Sequence, residues 1–110
     1  MAEDYLKKKG YKILERNYRC PLGELDLVVV DGKVVVFVEV KVRTEHLFGA
    51  PLEAVDWRKK KKMVKAALYF LSHYRLHQRD ARFDVIGISK SARGPVIEHV
   101  TNAFDLDETS

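Results

Sequence analysis

Gly23-Glu24-Leu25-Asp26-Leu27-Val28-Val29-Val30-Asp31-Gly32-Lys33-Val34-Val35-Val36-Phe37-Val38-Glu39-Val40-Lys41-Val42-Arg43 is the stretch from which the fold of this chain is read. β-Branched residues dominate both halves. Asp31-Gly32 between them is a hairpin signal, because such a pair accepts the positive backbone angles of a two-residue type I′ turn. Residues 24–30 and 33–43 are therefore expected as antiparallel strands, with Val30 facing Lys33, Asp26 opposite Phe37 and Glu24 opposite Glu39. Opposed side chains share a face, and so do side chains two apart on one strand. The pattern gathers Glu24, Asp26, Glu39 and Lys41 on one side of the sheet and puts Leu25, Leu27, Val29, Val36, Val38, Val40 and Val42 on the other.

On the N-terminal side of the hairpin, residues 2–9 suit a short helix stopped by Gly10, and residues 11–19 a first strand that ends before Cys20-Pro21-Leu22-Gly23. On the C-terminal side, a helix opened by Pro51 or Asp56 runs to about His77, with Val55, Met63, Ala66, Ala67, Phe70, Leu71 and Tyr74 at helical spacing. Residues 82–89 and 96–101 read as two more strands joined through Arg93-Gly94-Pro95. The order is αβββαββ, and the long helix must carry the chain from the third strand to the fourth. That is an α/β domain with a mixed central sheet flanked by helices.

The 110 residues, 46% of them apolar, suffice for one domain and one core. The longest apolar run, Val34 to Val38, is five residues, whereas a membrane span needs about 20. Met1-Ala2-Glu3-Asp4 puts acids where a secretory signal needs bases, so no export and a cytoplasmic location are expected. Cys20 is alone, which excludes an internal disulfide and the cysteine ladders of structural zinc sites.

Net charge is +4, and six of the 20 bases fall between Arg58 and Lys65 with no acid among them. Such a run can dock a polyanion, with Arg58 and Lys62 as contacts, or simply solvate the outside of a helix. Lys59 falls on the apolar stripe through Met63, Ala66, Ala67 and Phe70, so it either reaches toward the sheet or snorkels to solvent. Arg43 shares the Glu39 and Lys41 face and could grip a phosphate or pair with Glu45. His73 and His77 have metal-ligand spacing but no acid partner between them, and are read as exposed. His46 and Phe48 lie in the loop after the third strand, while Trp57 and Tyr69 could stack on bases or pack in the core. Asp84, inside a strand, is read as a paired structural acid, and Asp105, Asp107 and Glu108 as a frayed tail.

Carboxylates gathered beside valines and a phenylalanine repel one another and are costly to desolvate. A cation removes that cost, and oxygen ligands without His or Cys suit Mg²⁺ or Mn²⁺, which keeps waters and accepts phosphate oxygens. Asp26 and Glu39, with Glu24 assisting, are the candidate metal ligands. The chemistry that fits is phosphodiester hydrolysis, with Lys41 orienting water or offsetting developing charge. The competing reading is ordinary ion pairing of these acids with Lys41, Arg43 and Arg19.

Gly23-Glu24-Leu25-Asp26-Leu27, Phe37-Val38-Glu39-Val40-Lys41-Val42-Arg43 and Arg82-Phe83-Asp84-Val85, in this order and spacing, resemble the YraN-like uncharacterised family, a branch of the restriction-endonuclease-like PD-(D/E)xK superfamily. The likeness covers nearly the whole chain. It implies an αβββαβ core, Asp26 and Glu39 as metal ligands and Lys41 as the catalytic lysine. The likeness does not itself supply a substrate; the acid and lysine patch beside a basic helix leads us to expect DNA ahead of RNA, branched or structured. The likeness, which extends to the archaeal Holliday-junction resolvases, implies a homodimer suited to a symmetric junction. Those nucleases usually carry a further Glu on the first helix; Glu3 is the nearest counterpart and comes later than the pattern wants. The alternative is a nucleic-acid-binding module that keeps the scaffold without chemistry, and a third reading is a protein-interaction domain with an exposed strand edge.

Overall fold

A computed structural model describes residues 1–43, 57–76 and 78–104, with the side chains of Arg43 and Trp57 outside that description. The elements run α1 (Ala2–Lys8), β1 (Lys12–Cys20), β2 (Gly23–Asp31), β3 (Val34–Arg43), α2 (Trp57–His73), β4 (Ala81–Ser91) and β5 (Gly94–Phe104). This is the αβββαββ order expected. The five strands form one sheet in sequence order. β1, β2 and β3 are antiparallel neighbours, β3 and β4 are parallel, and β5 returns antiparallel to β4. A parallel pair needs a crossover, and the segment containing α2 supplies it.

Each face of the sheet has its own core. Under α2 lie Val28, Val35, Phe37, Phe83, Val85 and Phe104, packed against Met63, Ala66, Ala67, Phe70 and Leu71. The helix does this because its small alanines let the backbone approach the sheet while Phe70 reaches Phe37, edge to face at 5.8 Å. On the opposite face Leu27, Val29, Val36, Val38, Ile86 and Ile88 pack with Ala2, Leu6 and Tyr11. Central strands covered on both faces become continuous apolar runs, which is why β3 reads Val-Val-Val-Phe-Val rather than alternating.

The hairpin turn differs from expectation. Gly32, at φ +62°, and Lys33 are its central residues, and Asp31 pairs with Val34. A glycine at the first central position followed by a residue without positive φ fits a type II′ turn rather than type I′. The register therefore lies two residues from the expected one: Val30 faces Val35, and Val28 faces Phe37. An even shift leaves the side chains of β3 on the faces assigned to them.

α2 stops at His73, short of His77, because Arg75 adopts positive φ (56°) and the Leu76 amide bonds back to the Leu71 carbonyl at 2.7 Å. β4 and β5 are longer than read from sequence. Asn102, at φ 51°, interrupts the pattern that would have revealed the buried Phe104. Pro51, Val55, Asp56, His46, Phe48, Glu45, His77 and the acidic tail lie outside the described residues. No helix among the described residues is long and apolar enough to cross a membrane.

Candidate metal and nucleic-acid site

β2 and β3 pair from their turn as far as Leu27 and Val38. Beyond that point the Asp26 Oδ2 accepts a hydrogen bond from the Val40 amide at 2.8 Å. Asp26 is thereby fixed level with Glu39, the next residue of β3. Glu39 is 2% exposed and, with Asp84, one of two buried charged residues among those described. Its Oε1 takes the Lys41 ammonium at 3.3 Å and, in closer contact, the Lys59 ammonium from the first turn of α2. Asp26, Glu39 and Lys41 are thus brought together as the sequence predicted, and Lys59 reaches the sheet rather than snorkelling away.

Burial pushes the Glu39 carboxyl above its ordinary range, and the neighbouring Asp26 adds to the push while Lys59 opposes it. For Lys59 burial works against the charge, but its bond to Glu39 and the field of Asp26 outweigh that and hold the ammonium above the usual lysine range.

Glu24 does not join them. It pairs with Arg19 at 3.4 Å, and its side chain is 70% exposed. Alternation along β2 breaks between Leu25, which packs under α2, and Leu27, which packs in the opposite core. Across from this break, between Arg16 and Tyr18 of β1, Asn17 has φ 50°. The expectation that Leu25 and Leu27 share a face, and that Glu24 shares one with Asp26 and Glu39, is corrected by that switch.

A groove of about 710 Å³ opens between the β1–β2 turn and the start of α2, lined by Arg19, Leu22, Glu24, Arg58, Lys59 and Lys62 among others. Four of those six side chains are basic. The sequence offered Arg19 as an ion-pair partner of the acids, and it does pair with Glu24, its neighbour across the β1–β2 ladder; its place in the groove was not foreseen. Gly23 holds the turn against the helix: a Cβ there would lie 3.0 Å from the Lys62 carbonyl oxygen. Arg43 ends β3, two residues beyond Lys41.

On the α1 side, a second groove of about 430 Å³ is lined by Glu3, Arg16, Asn17, Asp26 and Val40. Glu3 is held by Arg16 at 2.6 Å. The first-helix acid therefore borders the same groove as Asp26.

Among the described residues no group of three or more His, Cys, Asp or Glu side chains gathers as a metal cage. Two adjacent carboxylates do, and oxygen ligands in that number suit Mg²⁺, which completes its shell with water and substrate phosphate. Two ammonium groups, of Lys41 and Lys59, already meet one buried Glu39 carboxylate oxygen and offset the charge of the acid pair. The donor set fits the ion at Asp26 and Glu39 and does not include Glu24.

Fold and site together describe a mixed α/β domain compatible with the restriction-endonuclease-like arrangement, with an acid pair and two lysines where its central strands diverge. The chain belongs to the uncharacterised protein family UPF0102, whose family model matches residues 1–88. It is 51% identical over 106 residues to a UPF0102 protein of Geobacter metallireducens, covering 96% of this chain and 87% of the relative. It is 44% identical over 107 residues to one of Caldanaerobacter subterraneus, covering 94% and 88%.

Proposed function

We propose that this protein is a metal-dependent nuclease that hydrolyses phosphodiester bonds in DNA, with branched or structured DNA as the candidate substrate. The observation that carries the reading is the buried Glu39 beside Asp26 with Lys41 on the same carboxylate. A carboxyl pushed above its ordinary range by burial, beside a second acid, is a candidate functional group. Asp26 and Glu39 would hold Mg²⁺ or Mn²⁺, which supplies Lewis-acid polarisation of the scissile phosphate and a more acidic water. Asp26 is oriented for this by the Val40 amide, which occupies Oδ2. Lys41, its side chain 25% exposed, lies close enough to Glu39 to set its ammonium against negative charge developing on a phosphate held there. Arg19, Arg58 and Lys62 line a basic groove suited to a strand's phosphates, and Lys59, which lines it too, links it to Glu39. The natural location of such an enzyme is the cytoplasm, and a homodimer would suit a symmetric junction.

Incubating the purified protein with branched, single-stranded and duplex DNA, with RNA as comparison, and with Mg²⁺, Mn²⁺ or EDTA tests the reading. Cleavage that needs the ion and Asp26 supports it.

A second reading keeps the groove and drops the chemistry. Its supporting observation is that Arg19, Arg58 and Lys62 line the groove without help from Asp26. It predicts binding that falls steeply with salt and ignores EDTA.

A further inference from the structure

Charge balance in the site raises a question that its geometry answers. Among the described residues the cluster holds two carboxylates, Asp26 and Glu39, and two ammonium groups, Lys41 and Lys59. These cancel. A divalent cation added to the intact cluster would leave an excess of two positive charges around a carboxylate that is 2% exposed, which is unfavourable in so poorly hydrated a place. Withdrawal of one ammonium would lower that excess.

The two lysines are placed differently. Lys41 lies within β3, paired in the parallel ladder with Gly87, and its side chain is 25% exposed. Lys59 comes from the first turn of α2, its side chain is 42% exposed, and it also lines the basic groove. Its stem is long enough to swing the ammonium from the acid pair into that groove. There it would meet Arg58 and Lys62, a position tolerable only when an anion is present.

We infer that Lys59 is an exchangeable counter-ion: it neutralises Glu39 until a divalent cation displaces it, and then binds a phosphate of the nucleic-acid strand in the groove. The inference rests on the metal-dependent reading above. Metal and strand are then coupled through Lys59, and each tightens the binding of the other by the same factor. The protein would hold metal weakly until substrate arrives.

Mn²⁺ affinity, measured by the electron paramagnetic resonance of the free ion, tests this without any turnover. The parent is compared with Lys59→Gln, Lys59→Arg and Lys62→Gln, each with and without a phosphorothioate DNA strand that resists cleavage. Lys59→Gln should bind Mn²⁺ about tenfold more tightly than the parent without DNA, whereas Lys62→Gln and Lys59→Arg stay within about threefold. DNA should raise the parent's Mn²⁺ affinity by about 5–150-fold and that of Lys59→Gln by much less. Equal Mn²⁺ affinity in parent and Lys59→Gln, or an equal gain from DNA, overturns the exchange while leaving the metal site standing. If neither protein binds Mn²⁺, with or without DNA, the exchange and the metal-dependent reading fall together.

Discussion

The Asp26 carboxylate accepts the Val40 amide at 2.8 Å where the pairing of β2 with β3 stops at Leu27 and Val38. One hydrogen bond thus serves two purposes. It replaces a backbone bond at the point where the strands part, and it holds Asp26 beside Glu39. The strands can diverge enough to admit a ligand without leaving the Val40 amide unsatisfied.

Glu39 carries a pH signature. Burial, joined by the charge of Asp26, holds its carboxyl above the ordinary value of 4.5, so the folded state favours the protonated form. Such a group contributes stability below its unfolded pKa and loses it as pH rises through the folded one. Ionising Glu39 therefore costs stability as pH rises in the metal-free protein, a cost partly offset by Lys59, whose ammonium the same contact stabilises. Glu39→Gln should flatten the change in stability between about pH 4 and neutral pH by about 0.5–2 kcal/mol. Denaturant melts at both pH values check this, and a pH dependence equal to the parent's would contradict it.

Gly23 is required by a close approach. Its φ is +156°, and a Cβ would press on backbone, the Lys62 carbonyl at 3.0 Å, rather than on a side chain that could move aside. Gly23→Ala should cost about 1–3 kcal/mol in a thermal or denaturant melt. The same variant should weaken DNA binding by shifting the β1–β2 turn away from α2. Unchanged stability would show that the helix yields.

Asp84 ties β4 to β5. It is fully buried and takes the His99 Nε2 at 2.7 Å, the Arg82 Nε at 3.0 Å and the Asn102 amide at 3.0 Å. Removing one partner from a buried charged network strands the rest, so Asp84→Ala should cost about 3–5 kcal/mol. Mn²⁺ binding at Asp26 should survive wherever the variant still folds. A loss below about 1 kcal/mol would show that water replaces the carboxylate easily.

Salt separates the groove from the acid pair. Lys62→Ala and Arg58→Ala should each lower the slope of log affinity against log salt by about one, in EDTA as well as in Mg²⁺. Anisotropy of a labelled DNA strand over a salt series reads the slopes, and slopes equal to the parent's would remove these two bases from the interface.

Much of this architecture was legible because β-branched runs around a glycine turn can hardly be anything but a hairpin. The turn residues themselves were ambiguous: Asp31-Gly32 and Gly32-Lys33 both satisfy a two-residue connection, and only the register distinguishes them. Asp26, Glu39 and Lys41 were found despite that choice because the error was even. Glu24 was misplaced because alternation was assumed to persist through Asp26, whereas Leu25 and Leu27 enter different cores. A local reversal opposite a positive-φ Asn17 leaves no trace in hydrophobic pattern. Lys59 could be placed on the right helical stripe, but its choice of Glu39 over solvent depends on how α2 seats on the sheet.

Cleavage by matched variants is the most direct measurement of the central claim. The parent, Asp26→Ala and Lys41→Ala, each shown to be folded, are incubated with branched, duplex and single-stranded DNA in Mg²⁺ or Mn²⁺. The account predicts ion-dependent cutting by the parent and a loss of about 100-fold or more in both variants, with DNA binding in EDTA retained. Cutting by the variants at the parent's rate, or none by the parent on any substrate, would contradict it.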